Sequence, residues 1–269
     1  MIDILIEKLM EDTKKQSIAM HYKKADTTLT ESKLGGVPFI PEGGEWPVNT
    51  KDGSKLYFLI QLNFEEMPHM EGYPEKGLLQ VFIANDDLYG ADFDNEANQE
   101  GFRMLYYEDI SNPMAEEEIV KMIPEPDEDE YLIPFESNDS YSIYFKLRSV
   151  CVSINDYRFD DFYDSIKEEL PKELVAEEWF NLDDNILSEL YKDKRIDAVG
   201  SRIGGYPFFT QSDPREYNDD LKDYELLFQI DTHGGIIMWG DSGVANFFIK
   251  KEDLANKDFS KVLYNWDCC

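Results

Sequence analysis

The residues with the most chemical promise are a serine in a glycine-flanked turn, an acidic loop, three histidines and three cysteines, each of which needs particular companions to react. Gly240-Asp241-Ser242-Gly243 has the form of the tetrapeptide around a chymotrypsin-like nucleophile, whose chemistry requires a His base and a carboxylate that orients it. His21, in Ala19-Met20-His21-Tyr22, and His69, in Met67-Pro68-His69-Met70, stand in no such context, and Val244 breaks the pattern after Gly243. A tight turn entering a strand is the better account. His233 precedes Gly234-Gly235 between two apolar runs and reads as a hairpin-turn residue ahead of a catalytic base.

Asp92-Phe93-Asp94-Asn95-Glu96 opens like a calcium loop, with oxygens at its first, third and fifth positions. It then places Ala97 where the sharp turn needs Gly and Arg103 where the bidentate Glu belongs. With Asp86 and Asp87 close by, the choices are weak cation binding or a solvated acidic loop. No paired-cysteine motif or His-x-x-x-His helix occurs, so no metal site is assigned. The dinucleotide and nucleoside-triphosphate fingerprints are missing as well, and no cofactor is expected.

The elements that must position these residues follow from self-comparison. Ser32-Lys33-Leu34-Gly35-Gly36-Val37-Pro38-Phe39 matches Ser201-Arg202-Ile203-Gly204-Gly205-Tyr206-Pro207-Phe208. In the same order, Leu59-Ile60-Gln61-Leu62-Asn63 answers Leu227-Phe228-Gln229-Ile230-Asp231. Gly77 to Ile83 answers Gly243 to Ile249, and Arg103 to Tyr106 answers Lys261 to Tyr264. Four collinear matches predict an internal duplication. The matched pieces Leu56 to Leu62, Leu78 to Ile83, Tyr224 to Ile230 and Asn246 to Ile249 are short, β-branched or aromatic, and bounded by turn formers, so they read as strands. The Gly-Gly-x-Pro element reads as a turn, since Gly permits positive φ and Pro offers no amide to pair.

Tyr141 to Val152 alternates as a long strand, whereas Ile2 to about Lys15, Phe159 to Leu170 and Lys172 to Tyr191 show helical spacing of apolar residues. The expected fold is therefore α+β and internally duplicated: two sheet-forming halves, an N-terminal helix, and a helical insert between the halves. One compact domain covers 1–269, with the first half at 24–114, an acidic and helical insert at 115–195, and the second half at 196–269.

Gln61 and Gln229 sit at equivalent places in apolar strands, where a buried amide must be hydrogen-bonded. Either they tie a strand to a turn backbone, or they line a cleft between the halves together with Trp46, Trp239, Asp241 and Arg103. A second candidate region is acidic: within Glu116 to Glu130, Lys121 is the only cation, and Glu125, Asp127, Glu128, Asp129 and Glu130 form its densest part. It reads as a solvated loop or as a landing site for a basic protein.

The composition narrows the classes of partner. The chain has 269 residues, 57 acidic and 26 basic, for a net charge of −31, yet 17 Phe, 16 Tyr and four Trp give it the apolar area of a folded protein. Such a field repels DNA, RNA and anionic lipid, so neither nucleic acid nor a membrane surface is expected as a partner. No run approaches the roughly 18 to 20 apolar residues that span a bilayer, and Met1 to Lys15 lacks a signal core. Cys151 stands alone and Cys268 adjoins Cys269, which is no disulfide framework. A cytoplasmic location is expected.

The ordered motifs Leu34-Gly35-Gly36-x-Pro38, Trp46-Pro47, Phe58 to Leu62, Tyr89-Gly90-x-Asp92 and Phe102-Arg103 resemble the YwqG-like family of bacterial proteins. So do Gly204-Gly205-Tyr206-Pro207-Phe208, Trp239 to Gly243 and Leu263 to Cys268. The resemblance runs from about Ser32 to Cys268. It implies a mixed α+β bacterial cytoplasmic protein and carries no reaction, cofactor or catalytic residue. The leading expectation is a binding protein whose acidic surface engages a basic protein; the alternative is a small-molecule- or cation-binding enzyme with its site between the halves.

Overall fold

The computed structural model describes residues 1–125, 132–135 and 139–269. In chain order its elements are α1 (Ile2–Thr13), β1 (Lys15–Lys24), β2 (Lys33–Gly35), β3 (Tyr57–Asn63), β4 (Leu78–Ile83), β5 (Phe102–Tyr107) and α2 (Glu116–Val120). There follow β6 (Ser140–Val150), α3 (Phe159–Ile166), α4 (Asp184–Leu190), β7 (Arg202–Gly204), β8 (Tyr224–Asp231), β9 (Val244–Lys250), α5 (Lys251–Ala255) and β10 (Leu263–Asp267). The strands form one ten-stranded sheet in the order β10-β9-β8-β7-β1-β6-β2-β3-β4-β5. The fold class is α+β, with the N-terminal helix as expected and the sheet antiparallel and curled.

Strand alternation gives the sheet two distinct faces. Facing residues Leu34, Ile60 and Val81 on one side of the order, and Ile203, Phe228, Phe247 and Tyr264 on the other, all enter one core inside the curl. Phe247 stacks between Phe228 at 4.5 Å and Tyr264 at 4.7 Å. A separate core lies beyond the sheet, where Leu5, Ile6 and Leu9 of α1 meet Phe159, Tyr163 and Leu190.

The outer face carries two buried polar rows, Lys33-Gln61-Gln80 and Arg202-Gln229-Asn246, each made of direct cross-strand neighbours. Gln61 Oε1 accepts from the Phe39 N–H at 3.0 Å, and its Nε2 donates to Leu29 O and Glu31 O at 2.9 and 2.8 Å. Gln229 repeats the arrangement: Oε1 accepts from the Phe208 N–H at 3.0 Å, and Nε2 donates to Ala198 O and Gly200 O, both at 2.8 Å. Gln80 and Asn246 then donate to the carbonyls of Phe39 and Phe208. The backbone can reach these amides because the glycine pair before each loop turns at positive φ, 66° and 74° at Gly35 and Gly36, 61° and 78° at Gly204 and Gly205. A Cβ at Gly35 would stand 2.3 Å from Asp139 O.

Three features depart from the sequence reading. The two middle strands, β1 and β6, come from the segments without a repeat counterpart, so the unmatched chain supplies the centre of the sheet as well as helices. β1 itself went unread, although Ile18, Met20 and Tyr22 alternate with Ser17, Ala19 and His21, because its apolar residues follow directly on the helix pattern of α1. Lys172 to Tyr191 is not one helix: short 3-10 turns at Lys172–Leu174 and Trp179–Asn181 precede α4. The Tyr163 hydroxyl donates to Leu174 O and accepts from the Ala176 N–H, holding that stretch extended, and Asp183 caps a new helix by accepting from the Asn185 N–H.

A buried ionic cluster joins the insert to the second half. Arg215, fully buried, donates to Asp213 at 2.6 Å and Asp156 at 2.9 Å, and Arg158 links Asp156 to Glu225. Burial alone would raise the Asp156 pKa, but hydrogen bonding from Arg158 and the charge of Arg215 outweigh it and hold the carboxyl below its ordinary value. Folded Asp156 therefore binds its proton less readily than the unfolded chain does. Its stabilising contribution is complete above about pH 4 and is lost as the pH falls through the lowered folded pKa. Urea unfolding from pH 6 to pH 2 is expected to show an acid limb that Asp156→Asn flattens; equal slopes in both proteins would contradict this assignment.

Candidate functional site

The curl brings the two terminal strands together without pairing them. Phe102 of β5 packs on Tyr264 of β10 at 5.2 Å, and Tyr106 packs on Phe259 at 5.4 Å. The segment between β4 and β5 crosses this seam. Its Glu96 carbonyl accepts from the Tyr264 N–H at 2.9 Å, Leu88 O accepts from Trp266 Nε1 at 2.8 Å, and Gln99 Nε2 donates to Phe259 O at 2.8 Å. Tyr89 sits at φ 53°, which a non-glycine residue occupies only when its surroundings enforce it. Here its hydroxyl accepts from the Gly240 N–H and its carbonyl accepts from the Tyr264 hydroxyl.

Rings run outward from the core along this seam. Tyr264 lies 6.4 Å from Trp239, Trp239 5.4 Å from Tyr89, Tyr89 4.8 Å from Trp266, and Trp266 6.1 Å from Phe93. Tyr264 and Trp239 are fully buried, whereas Phe93 is 45% exposed. The series opens into a cavity of about 590 Å³ walled by Leu88, Phe93, Tyr217 and Trp266, with Asp87, Gln211 and Asn265 among its polar groups. Tyr217 is 75% exposed. Asp86, Asp87, Asp92 and Asp94 flank the aromatic wall in sequence, and among the described residues none of them forms an ion pair. Asp267, at the cavity floor, accepts from the Thr210 and Gln211 N–H groups, and burial raises its pKa against those bonds.

The residues singled out from sequence are dispersed. Trp239 and Asp241 belong to the seam: Gly240 between them lies so close to Cys268 that a Cβ there would meet Sγ at 2.7 Å. Trp239 is a buried link in the ring series, and Asp241 is exposed on the turn. Trp46 and Arg103 are elsewhere. Trp46 donates to Leu56 O at 2.7 Å and packs on Phe82, while Arg103 reaches Val48 O at 3.4 Å. Gln61 and Gln229 are separated by four intervening strands, both are wholly buried, and their amides are consumed by backbone groups. The six therefore do not line one cleft. Glu125 is exposed, with its carbonyl accepting from the Tyr57 hydroxyl at 3.2 Å, and Asp127, Glu128, Asp129 and Glu130 lie outside the described residues.

The remaining motifs resolve as turns. Gly243 N–H donates to Trp239 O at 2.7 Å and β9 begins at the next residue, so Ser242 belongs to a tight turn. His233 and Ile237 exchange backbone hydrogen bonds around Gly234-Gly235. Asp92 Oδ1 accepts from the Asp94 and Asn95 N–H groups and Oδ2 accepts from Asn98, which closes the acidic loop on itself. Among the described residues no group of three or more His, Cys, Asp or Glu is placed to hold a metal ion, and no helix is long and apolar enough to cross a membrane. Leu88, Phe93 and Tyr217 were missed from the sequence because their contact depends on the seam; isolated aromatics in acidic loops were the available signal.

Trp266→Ala removes two ring contacts and the bond to Leu88 O. It is expected to cost about 2 to 3 kcal/mol in urea unfolding and to raise deuterium uptake across residues 86–95, while Trp266→Phe loses less. Uptake that stays unchanged in Trp266→Ala would show that the loop is held by something else.

No curated protein matches the chain. Residues 32–268 match the model of the family described as a domain of unknown function (DUF1963), which is most of the chain, and the protein belongs to that family.

Proposed function

We propose that the protein is a binding protein and that the seam cavity receives a Lys or Arg side chain from a basic protein partner. The observation that carries this reading is the exposed aromatic wall of Phe93, Tyr217 and Trp266 beside carboxylates that have no cationic partner among the described residues. A cation over an aromatic face gains about 0.5 to 2 kcal/mol, more as it is desolvated. A net charge of −31 speeds the approach of a basic molecule and deters acidic ones. The acidic block at Glu125, Asp127, Glu128, Asp129 and Glu130 then acts on encounter, and the aromatic cavity acts on residence. The enzyme alternative has less support, since its central amides, Gln61 and Gln229, are already occupied.

Matching hydrogen bonds at Gln61 and Gln229, and equivalent irregularities at Phe58/Ile60 and Leu226/Phe228, support descent of the two halves from one duplicated unit. The ordered motifs support placement in the bacterial YwqG-like branch, and three free cysteines suit a cytoplasmic setting.

Calorimetric titration with a short Arg-Gly peptide, against a Glu-Gly control, tests the reading. Binding of the Arg peptide alone is expected, weakened by salt and reduced about tenfold by Tyr217→Ala, whose exposed ring can be removed without loss of core packing. Equal affinity in Tyr217→Ala and the natural protein, or no binding at low salt, would overturn it.

A further inference from the structure

Arg202 of β7 is buried to 6% exposure on the outer face of the sheet, in the row that also holds Gln229 and Asn246. Its Nη2 donates to Asp197 O at 3.1 Å and Val199 O at 3.0 Å, but its Nε has no hydrogen-bond partner among the described residues. No carboxylate forms an ion pair with it there. Burial pulls the guanidinium pKa down to about 10, Arg148 adds to that effect, and Asp197 and Asp231 oppose it from a distance. A buried donor left unmade is costly, so this position has an unmet demand for an acceptor. Lys33, at the matching place in the first half, shows no such demand: its ammonium donates to Thr28 O at 2.5 Å and Val37 O at 2.7 Å.

Arg202 is one wall of a cavity of about 210 Å³, and the other walls include Arg148, Lys194, His21, His233 and Asp231. Two of the three histidines in the chain thus meet three cations on a protein of net charge −31. Arg148 and the pair Ala19 and His21 reach this face because β1 and β6 alternate in register, Ser17 opposite Arg148 and His21 opposite Tyr144. The His233 ring stands edge-on to Tyr22 at 6.0 Å, which sets its plane. Lys194 pairs with Asp197 at 2.6 Å, and Asp231 accepts from the Gly200 N–H at 2.7 Å. Asp197 is thus paired, Asp231 remains the one carboxylate on the cavity wall, and Arg148 and Arg202 form no ion pair among the described residues.

We propose that this cavity is a binding site for a small oxyanion, a phosphate or a short-chain carboxylate, with the Arg202 guanidinium, Arg148 and the two imidazoles as its donors. The volume is below the roughly 300 Å³ at which drug-sized sites begin, which fits an inorganic ion or a small acid. The site is independent of the aromatic seam, which Tyr217 and Trp266 define and which shares no wall with it.

The test is calorimetric titration of the full chain with phosphate, sulfate, acetate and succinate, with chloride as the comparison ion. Saturable binding of at least one oxyanion is expected; whether phosphate or carboxylate binds the tighter identifies the source of the group. Arg148→Gln, a partly exposed position, is expected to weaken that binding about tenfold with its unfolding midpoint unchanged, by loss of one charge-assisted hydrogen bond. Arg202→Lys is expected to weaken it further, and Tyr217→Ala to leave it as it was. Absence of oxyanion binding, affinity no greater than for chloride, or affinity in Arg148→Gln and Arg202→Lys equal to that of the natural protein would overturn the proposal.

Discussion

Two glutamines buried on the outer face of the sheet, Gln61 and Gln229, must have their amides hydrogen-bonded for the chain to fold in this way. An amide placed among apolar strands is destabilising unless every donor and acceptor finds a partner. Gln61 and Gln229 meet this by capturing the backbone of the Gly-Gly-x-Pro-Phe loops, which fold over the strands only because each glycine pair turns at positive φ. Those loops in turn cover the outer face, so Phe58 and Phe82 on one side, and Phe248 on the other, are buried beneath them. Loop, strand and cover form one cooperative unit in each half.

With β7 and β2 paired to the central strands β1 and β6, the twist of a ten-stranded sheet carries β5 and β10 toward each other. They meet through rings instead of a ladder, and the Asp86 to Gly101 segment closes the gap. A seam of this kind leaves aromatic side chains, Phe93 and Tyr217 among them, exposed where the core reaches solvent. The two candidate sites divide the charge between them: the seam joins rings to unpaired carboxylates, and the middle of the sheet concentrates rare cations around Arg202.

Much of the fold was legible from the collinear sequence matches and from strand alternation. Gln61 and Gln229, set in apolar strands at matching places, left open a structural tie or a cleft lining, and the hydrogen bonds show the tie. The long strand from Tyr141 was readable from its alternation, whereas β1 was hidden because Ile18 and Met20 extend the apolar rhythm of α1 across the Thr13 boundary. The break after Leu174 depends on the Tyr163 hydroxyl, a tertiary contact that local spacing does not encode. Of the residues singled out from sequence, Trp239 and Asp241 lie at the seam, one as a buried ring and the other as a turn residue. The Arg202 cavity stayed invisible because His21, Arg148, Lys194 and His233 are distant in sequence and converge only through sheet register.

The most direct measurement of the central claim is the unfolding free energy of Gln229→Leu, a replacement of similar size that keeps the apolar packing. It leaves the Phe208 N–H and the Ala198 and Gly200 carbonyls, buried or half-buried, without the partner that Gln229 supplies. The predicted result is a loss of about 3 kcal/mol at unchanged denaturant slope, with faster amide exchange in the loop from Gly204 to Phe209. A change within about 0.5 kcal/mol and undisturbed exchange would contradict the claim that these amides hold each loop to its strands.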